Sequence, residues 1–281
     1  MIYLARMEGA AGLTPYQLLT STRYDPYLTS FGWNNDKDGP SPFFLLPLHL
    51  ERLIEAADTH SWLYAKTLLR YEYLKASCLD AILEQRIRGH TSTAYKLRIT
   101  VTKEGRIAAT ATPLAQNLTE DPTTVPEPSA IAIAASDNDE GLDAGPTGPP
   151  MKVYIDKEPT EPSIFTETKT TLRDVYERVK ERNAGQCDGS GWDVLLYNGD
   201  GQVMETTIFN VSFYRGGQWV TPGAGTGCLA GVMRRWLLEH GRILEDTEGI
   251  LTRDTISDGE WVLLCNGVQG CRLGKIYTES A

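Results

Sequence analysis

The stretch "WDVLLYNGDGQVMETTIFNVSFYRGGQWVTP", residues 192–222, decides the fold class. Two glycine-rich turns, "NGDGQ" and "RGGQ", divide it into three predicted strands, a meander. Just upstream, "MKVYID" (151–156) reads as a short strand and residues 170–183 as a helix. In that helix Leu172, Val175, Tyr176 and Val179 fall at i, i+3, i+4 and i+7 and form one apolar stripe. Asp174/Arg178 and Arg173/Glu177 are spaced for i,i+4 pairing on its wet side. Downstream, "AGVMRRWLLEHGRIL" (230–244) predicts a helix with a glycine stop, and "EWVLLCNGVQG" (260–270) a final buried strand.

The N-terminal half mixes the same elements. "PFFLLPLHLERLIEAADTHSWLY" (42–64) predicts an apolar strand that turns helical, with Leu50, Leu53, Ile54 and Ala57 at helix spacing. A second helix runs through 68–89 and ends at Gly89, a C-cap glycine. "TAYKLRITVTKEGRIAATATP" (93–113) alternates in period two around "KEG" and predicts a hairpin, and "SAIAIAAS" (129–136) a further buried strand. The Gly-, Pro- and Asp-rich "DNDEGLDAGPTGPP" (137–150) has no apolar periodicity and reads as a linker between two domains or as a long surface loop within one. The expected organisation is α+β in two domains, 1–136 and 151–281, joined by 137–150.

Composition narrows the function classes. The 281 residues are 41% hydrophobic and 23% charged, with a formal net charge of −10. An acidic surface repels phosphate backbones, so no nucleic-acid partner is expected. No apolar run approaches the roughly 20 residues that span a bilayer, so no membrane partner is expected. The N-terminus lacks the long apolar core of a signal peptide, and the five cysteines are scattered without metal-type spacing. Reduced thiols in a cytoplasmic protein are the expectation.

Five places can carry chemistry. Lys169, in "TETKTTLRDVYERVKER" (166–182), sits just ahead of the predicted helix. It is either a solvated surface lysine or one whose charge opposes the helix dipole by a few tenths of a kcal/mol. In the second case it is more comfortable neutral or covalently capped, as a Schiff-base lysine must be. Glu205 is either an edge-strand acid or a semi-buried carboxylate that holds a protonated ring nitrogen, as pyridoxal phosphate requires. "TPGAGTGCLAGVMRRW" (221–236) leads a glycine-rich loop into a helix start, where backbone N–H groups suit a phosphate. Arg52 in "HLERL" either snorkels or clamps a phosphate with its fork. "CNGVQG" (265–270) is a strand end small enough for a ligand to approach the backbone.

The order "HLERL", "KTTLRDVYERV", "METTIFNV", "TP…G.LAGVMR", "CNGVQG" closely resembles the fold-type IV pyridoxal-phosphate enzymes, the class IV aminotransferase family, from about residue 16 to about residue 272. The resemblance implies a small N-terminal α/β sandwich domain and a larger C-terminal β-barrel-like domain with flanking helices. It implies pyridoxal 5′-phosphate as cofactor and a homodimer whose site lies between the domains. Lys169 then matches the lysine that forms the aldimine with the cofactor and moves the proton. Glu205 matches the acid at the pyridine nitrogen, and Arg52 the phosphate-binding arginine. Asn210, Val232, Met233, Asn266 and Gly267 fall at further cofactor-binding positions. Family members often carry Ser or Thr where this chain has Gly267. Arg98 lies where some members bind a substrate carboxylate.

Branched-chain transaminases carry a tyrosine where this chain has Asp174. The segment around Lys169 looks most like aminodeoxychorismate lyases, although many of those have His where this chain has Thr168. The leading expectation is therefore a lyase that converts 4-amino-4-deoxychorismate to 4-aminobenzoate and pyruvate. The alternatives are a transaminase for D-amino acids or amines of R configuration, and a non-catalytic relative that keeps the fold as a binding module.

Overall fold

The structure is a computed structural model that describes residues 15–126, 150–186 and 191–278. Its N-terminal part is built on strands β1 (Leu18–Tyr24), β2 (Asn35–Asp36) and β3 (Gly39–Pro40), and helices α1 (Leu46–Thr59), α2 (Leu63–Leu68) and α3 (Tyr71–Ile87), followed by strands β4 (Tyr95–Val101) and β5 (Ile107–Pro113). β1, β4 and β5 form an antiparallel three-stranded sheet in that order. Along β4, Tyr95, Leu97, Ile99 and Val101 are fully buried while Lys96 and Arg98 are exposed. The pleat thus sends one face to a core with Leu53 and Ala57 of α1 and Leu74, Cys78 and Ile82 of α3. The other face carries Ser21 opposite Arg98 and Arg23 opposite Lys96. Helices cover only the first face, which leaves the second for a site.

The second part contains strands β6 (Met151–Ile155), β7 (Trp192–Tyr197), β8 (Val203–Thr206), β9 (Asn210–Arg215), β10 (Gln218–Thr221), β11 (Leu244–Glu245), β12 (Trp261–Asn266) and β13 (Gly270–Tyr277). Three helices accompany them: α4 (Ile164–Glu167), α5 (Asp174–Asn183) and α6 (Val232–Glu239). The eight strands form one mixed sheet in the order β11-β10-β9-β12-β13-β6-β7-β8. The expected three-strand meander is four strands. "NGDGQ" closes the β7–β8 hairpin and "RGGQ" the β9–β10 hairpin, where Gly216 and Gly217 both have positive φ, as a tight type I′ turn needs.

β8 and β9 are not neighbours in the sheet, although only residues 207–209 separate them in the chain. So short a link can join them only if the sheet curls until its β8 edge returns toward β9. Thr206 N donates to Phe209 O at 2.8 Å across this link. Buried Asp193, on β7, holds it: its carboxylate accepts from Thr206 Oγ1 at 2.7 Å, from the N–H groups of Thr207 and Ile208 at 3.2 Å, and from Thr207 Oγ1. The curl encloses Val153, Leu195, Phe209, Val211, Phe213 and Leu264. A second core joins the two parts, with Leu28 and Phe44 packed among Met233, Trp236, Leu237 and Leu263.

Several sequence expectations shift. Residues 42–45 are not a strand beyond one bridge from Phe43 to Tyr24, because Leu45 takes a left-handed φ of 51° and Pro47 then opens α1. Gly89, with positive φ, closes α3. The helix expected from residue 170 begins at Asp174. Residues 169–171 are instead extended and hydrogen-bonded to the start of β1: Leu19 N donates to Lys169 O at 2.8 Å, and Thr171 N to Gln17 O at 2.9 Å. β12 is not the last strand, since β13 follows it. The strand expected at 129–136 and the linker at 137–149 lie outside the described residues. Among the described residues no helix is long and apolar enough to cross a membrane, and the four described cysteines are free and buried.

We expect Asp193→Ala to lower unfolding stability by about 3 kcal/mol, because several buried donors lose a charged acceptor at once. Urea unfolding followed by circular dichroism checks this; an unchanged midpoint would mean that the 207–209 link holds without Asp193.

Candidate active site

The uncovered face of the N-terminal sheet and one end of the curled sheet enclose a cleft of about 230 Å³. Ser21, Arg23 and Lys96 line it from the first; Lys169, Arg173, Tyr176, Glu205 and Thr207 line it from the second.

Lys169 enters because its backbone is pinned to β1. Burial drives its amine down to about 7 from the ordinary lysine value, with the charges of Arg173 and Arg52 acting the same way. No helix dipole is involved, since α5 starts five residues later. Glu205, on β8, is 3% exposed, and burial pushes its carboxyl up. Tyr176 Oη donates to Glu205 Oε1 at 2.8 Å, and Asn210 Nδ2 lies 3.5 Å from Oε2. Tyr176 therefore serves the site as well as the apolar stripe of α5. Arg173, expected to pair with Glu177, turns inward: Nη2 donates to Thr207 O at 2.7 Å and the guanidinium lies 4.5 Å from the Tyr176 ring centroid.

A second corner forms around α1. Arg52 Nη2 donates to Thr20 Oγ1, and Thr20 Oγ1 lies 2.7 Å from His49 Nδ1. Burial holds His49 well below the ordinary histidine range, followed by the charges of Arg52 and Lys169, so the ring is neutral. Arg52 Nε and His49 Nε2 are buried without a hydrogen-bond partner. Buried donors left unpaired beside a cleft suit an anion. Gly267 closes against this corner, where a Cβ would come 2.6 Å from His49 Cε1. Gly231 caps α6, and a Cβ there would come 1.7 Å from Asn210 Oδ1. Both glycines let backbone and side chains meet where no larger residue fits.

Lys169, Arg52, Glu205, Asn210, Val232, Asn266 and Gly267 all line this one cleft. Met233 does not: its side chain is buried in the core beneath α6, which leaves only its backbone near the helix start. Asn266 spends its Oδ1 on the N–H groups of Val268 at 2.9 Å and Gln269 at 2.8 Å, and so shapes the loop. Arg98 is exposed on β4 and does not line the cleft, whereas Lys96, two residues earlier, does. The sequence reading did not single out Lys96, Thr20, His49 or Asp193, and it left Arg173 and Tyr176 to helix pairing and packing. Their signals were the period-two face shared with Arg98 and the i,i+3 spacing of His49 and Arg52. Among the described residues no cluster of acids, histidines and cysteines could hold a metal ion.

Residues 35–275 match the family model for class IV amino-transferases. The chain belongs to that family. The family is pyridoxal-phosphate-dependent, and the cleft fits the cofactor: it offers a buried near-neutral lysine, a buried acid, and unpaired cationic and imidazole donors beside a glycine-led helix start. Over 209 residues the chain is 32% identical to the aminodeoxychorismate lyase of Saccharomyces cerevisiae, covering 66% of this chain and 52% of that protein. Over 132 residues it is 42% identical to a Schizosaccharomyces pombe protein named for the same lyase activity, covering 46% of this chain and 57% of that one. The chain thus spans about half the length of these relatives. The solved structure of a Mesorhizobium loti protein named for amino-acid aminotransferase activity shares the fold with a TM-score of 0.64 at 22% identity, covering 93% of this chain and 99% of that one.

Because Lys169 is lowered to about 7, its amine is neutral above that pH and protonated below it. Capture of pyridoxal phosphate by the cofactor-free protein, trapped with borohydride, should rise with pH through about 7 and then level off. A rise only near the surface-lysine value of about 10.4 would contradict the burial of Lys169. Arg52→Ala should weaken cofactor retention on gel filtration while leaving the Lys169 adduct trappable. Unchanged affinity would reduce Arg52 to a structural residue.

Proposed function

We propose that this class IV enzyme is a lyase that cleaves 4-amino-4-deoxychorismate to 4-aminobenzoate and pyruvate. The observation that carries it is the buried Lys169 amine, lowered toward neutrality, in one cleft with buried Glu205. The choice of reaction rests on the likeness to the two yeast proteins. In this reading Arg52, the start of α6 at Val232 and Met233, and the loop at Asn266 and Gly267 hold the cofactor phosphate. Glu205, steadied by Tyr176 and Asn210, would hold the ring nitrogen, and Lys169 would bind the aldehyde.

Bound there, pyridoxal phosphate supplies an electron sink for a carbanion. The chain's residues do the remaining work. Neutral Lys169 Nζ takes the proton from the substrate carbon that carries the amine, a role for which a lowered pKa is suited. Burial raises the Glu205 carboxyl, while the hydrogen bond from Tyr176 and the charge of Arg173 act the other way and favour the ionised acid that a protonated ring nitrogen would require. The walls orient the substrate so that the enolpyruvyl group leaves from the neighbouring carbon. Aromatisation of the ring then makes the step strongly downhill.

The finer parts of this reading are a cytoplasmic homodimer that supplies 4-aminobenzoate for folate synthesis. They also include a small domain over residues 1–136 and a cofactor domain over 151–281. The competing reading, favoured by the aminotransferase fold neighbours, is a transaminase for D-amino acids or R-configured amines.

Purified protein given 4-amino-4-deoxychorismate without a keto acid should release 4-aminobenzoate and pyruvate, and Lys169→Ala should release neither. Absence of 4-aminobenzoate, with amine donors driving lasting conversion to the pyridoxamine form, would replace the lyase by the transaminase.

A further inference from the structure

Five cationic side chains line the cleft: Arg23, Arg52, Lys96, Lys169 and Arg173. The lining holds one carboxylate, Glu205. Three of the cations are accounted for within the protein or by the reading above. Arg23 is ion-paired with buried Asp25, donating from Nε at 3.0 Å and from Nη2 at 2.8 Å. Arg52 belongs to the Thr20–His49 corner, and Lys169 is the near-neutral amine.

Lys96 and Arg173 remain. Among the described residues neither forms an ion pair with a carboxylate. Arg173 is half-buried, and its hydrogen bond to Thr207 O and its stacking on Tyr176 fix the guanidinium plane at the cleft wall. Lys96 reaches the cleft from the uncovered face of β4, on the opposite wall. Both charges act on Lys169 and lower its amine. Five cations against one carboxylate leave positive charge in excess, and like charges so gathered raise one another's energy. A guanidinium fixed in a cleft and out of ion-pair contact with any carboxylate suits planar recognition of one on a ligand. Two cations on two walls suit two carboxylates on one ligand.

We propose that Lys96 and Arg173 form a two-point carboxylate clamp, which makes the cleft selective for primary amines that carry two carboxylates. The proposal rests on the assignment of Arg52 and Lys169 to the cofactor. It separates such substrates from amines with one carboxylate or none, which leave one or both cations unmatched. 4-Amino-4-deoxychorismate, with one carboxylate on the ring and one on the enolpyruvyl group, meets the requirement. The clamp does not depend on which bond is broken afterwards.

The test uses the pyridoxal-phosphate-loaded enzyme and two probes that cannot form a Schiff base. Chorismate has a hydroxyl in place of the amine and keeps both carboxylates; shikimate has a related ring and one carboxylate. Affinities are read by calorimetric titration of wild type, Lys96→Met and Arg173→Gln, with cofactor absorbance as the check on folding. Each substitution should weaken chorismate by about tenfold to a hundredfold, the range for one charged hydrogen bond. Shikimate should be weakened far less by at least one of them. Unchanged chorismate affinity in both variants, or equal weakening of the two probes by both, overturns the clamp. Should Arg173→Gln lose its cofactor, Lys96→Met, on the exposed strand face, decides alone. An enzyme that makes no 4-aminobenzoate but shows the chorismate losses keeps the clamp and loses the lyase reading. One that makes 4-aminobenzoate with unchanged KM and chorismate affinity in both variants keeps the lyase reading and loses the clamp.

Discussion

Two backbone hydrogen bonds, from Leu19 N to Lys169 O and from Thr171 N to Gln17 O, fasten the centre of the C-terminal half to the first strand of the N-terminal half. Much follows from them. An extended segment bonded to a sheet cannot at the same time be the first turn of a helix, so α5 is delayed to Asp174. The side chain of Lys169 is delivered between the two sheets rather than to the surface, and its burial there lowers the amine. The chemical property of the lysine is thus a consequence of where two peptide groups find partners.

A second constraint fixes what faces the lysine. The three-residue link after β8 is shorter than any path across an open eight-stranded sheet, so the sheet curls. Asp193 gathers the link's donors on its two oxygens. Glu205 stands two residues before that link, and so the turn that shapes the fold also aims the acid. Tyr176 then supplies a donor to a carboxylate that burial alone would protonate. Fold and site therefore share parts: the link that closes the curl also sets the position of Glu205.

Local patterns in the sequence carried most of the elements. Period two marked β4 and β5, the 3.6-residue stripe marked α5, and Gly216–Gly217 marked a turn, because each depends on neighbours within a few residues. What local pattern could not carry was pairing between distant segments. Nothing inside "METTIFNV" says that the chain changes sheet position between Thr206 and Asn210. Nothing near Lys169 says that Gln17 and Leu19 will hold it. The same limit applies to the cleft. Arg52, Glu205 and Lys169 stood out by their setting in motifs, but Lys96, Arg173 and His49 look like ordinary surface or core residues until the sheets face one another.

The unequal use of the two faces of β4 shows why. Leu97 and Ile99 have helices against them, and their role was written in their hydrophobicity. Lys96 and Arg98 share the other face, equally charged and equally polar in sequence. Only the position of the curled sheet opposite them separates the two: Lys96 lines the cleft and Arg98 does not. Which cation faces the cleft is therefore set by register. A shift of β4 by two residues against β1 would keep every apolar residue inward and yet place Arg98 where Lys96 now stands. Such a slip would also repack Tyr95, Leu97, Ile99 and Val101 against their core neighbours, so the core holds the register that decides which cation stands near Lys169. Substitution of the outward residues, by contrast, changes the cleft wall without disturbing that core.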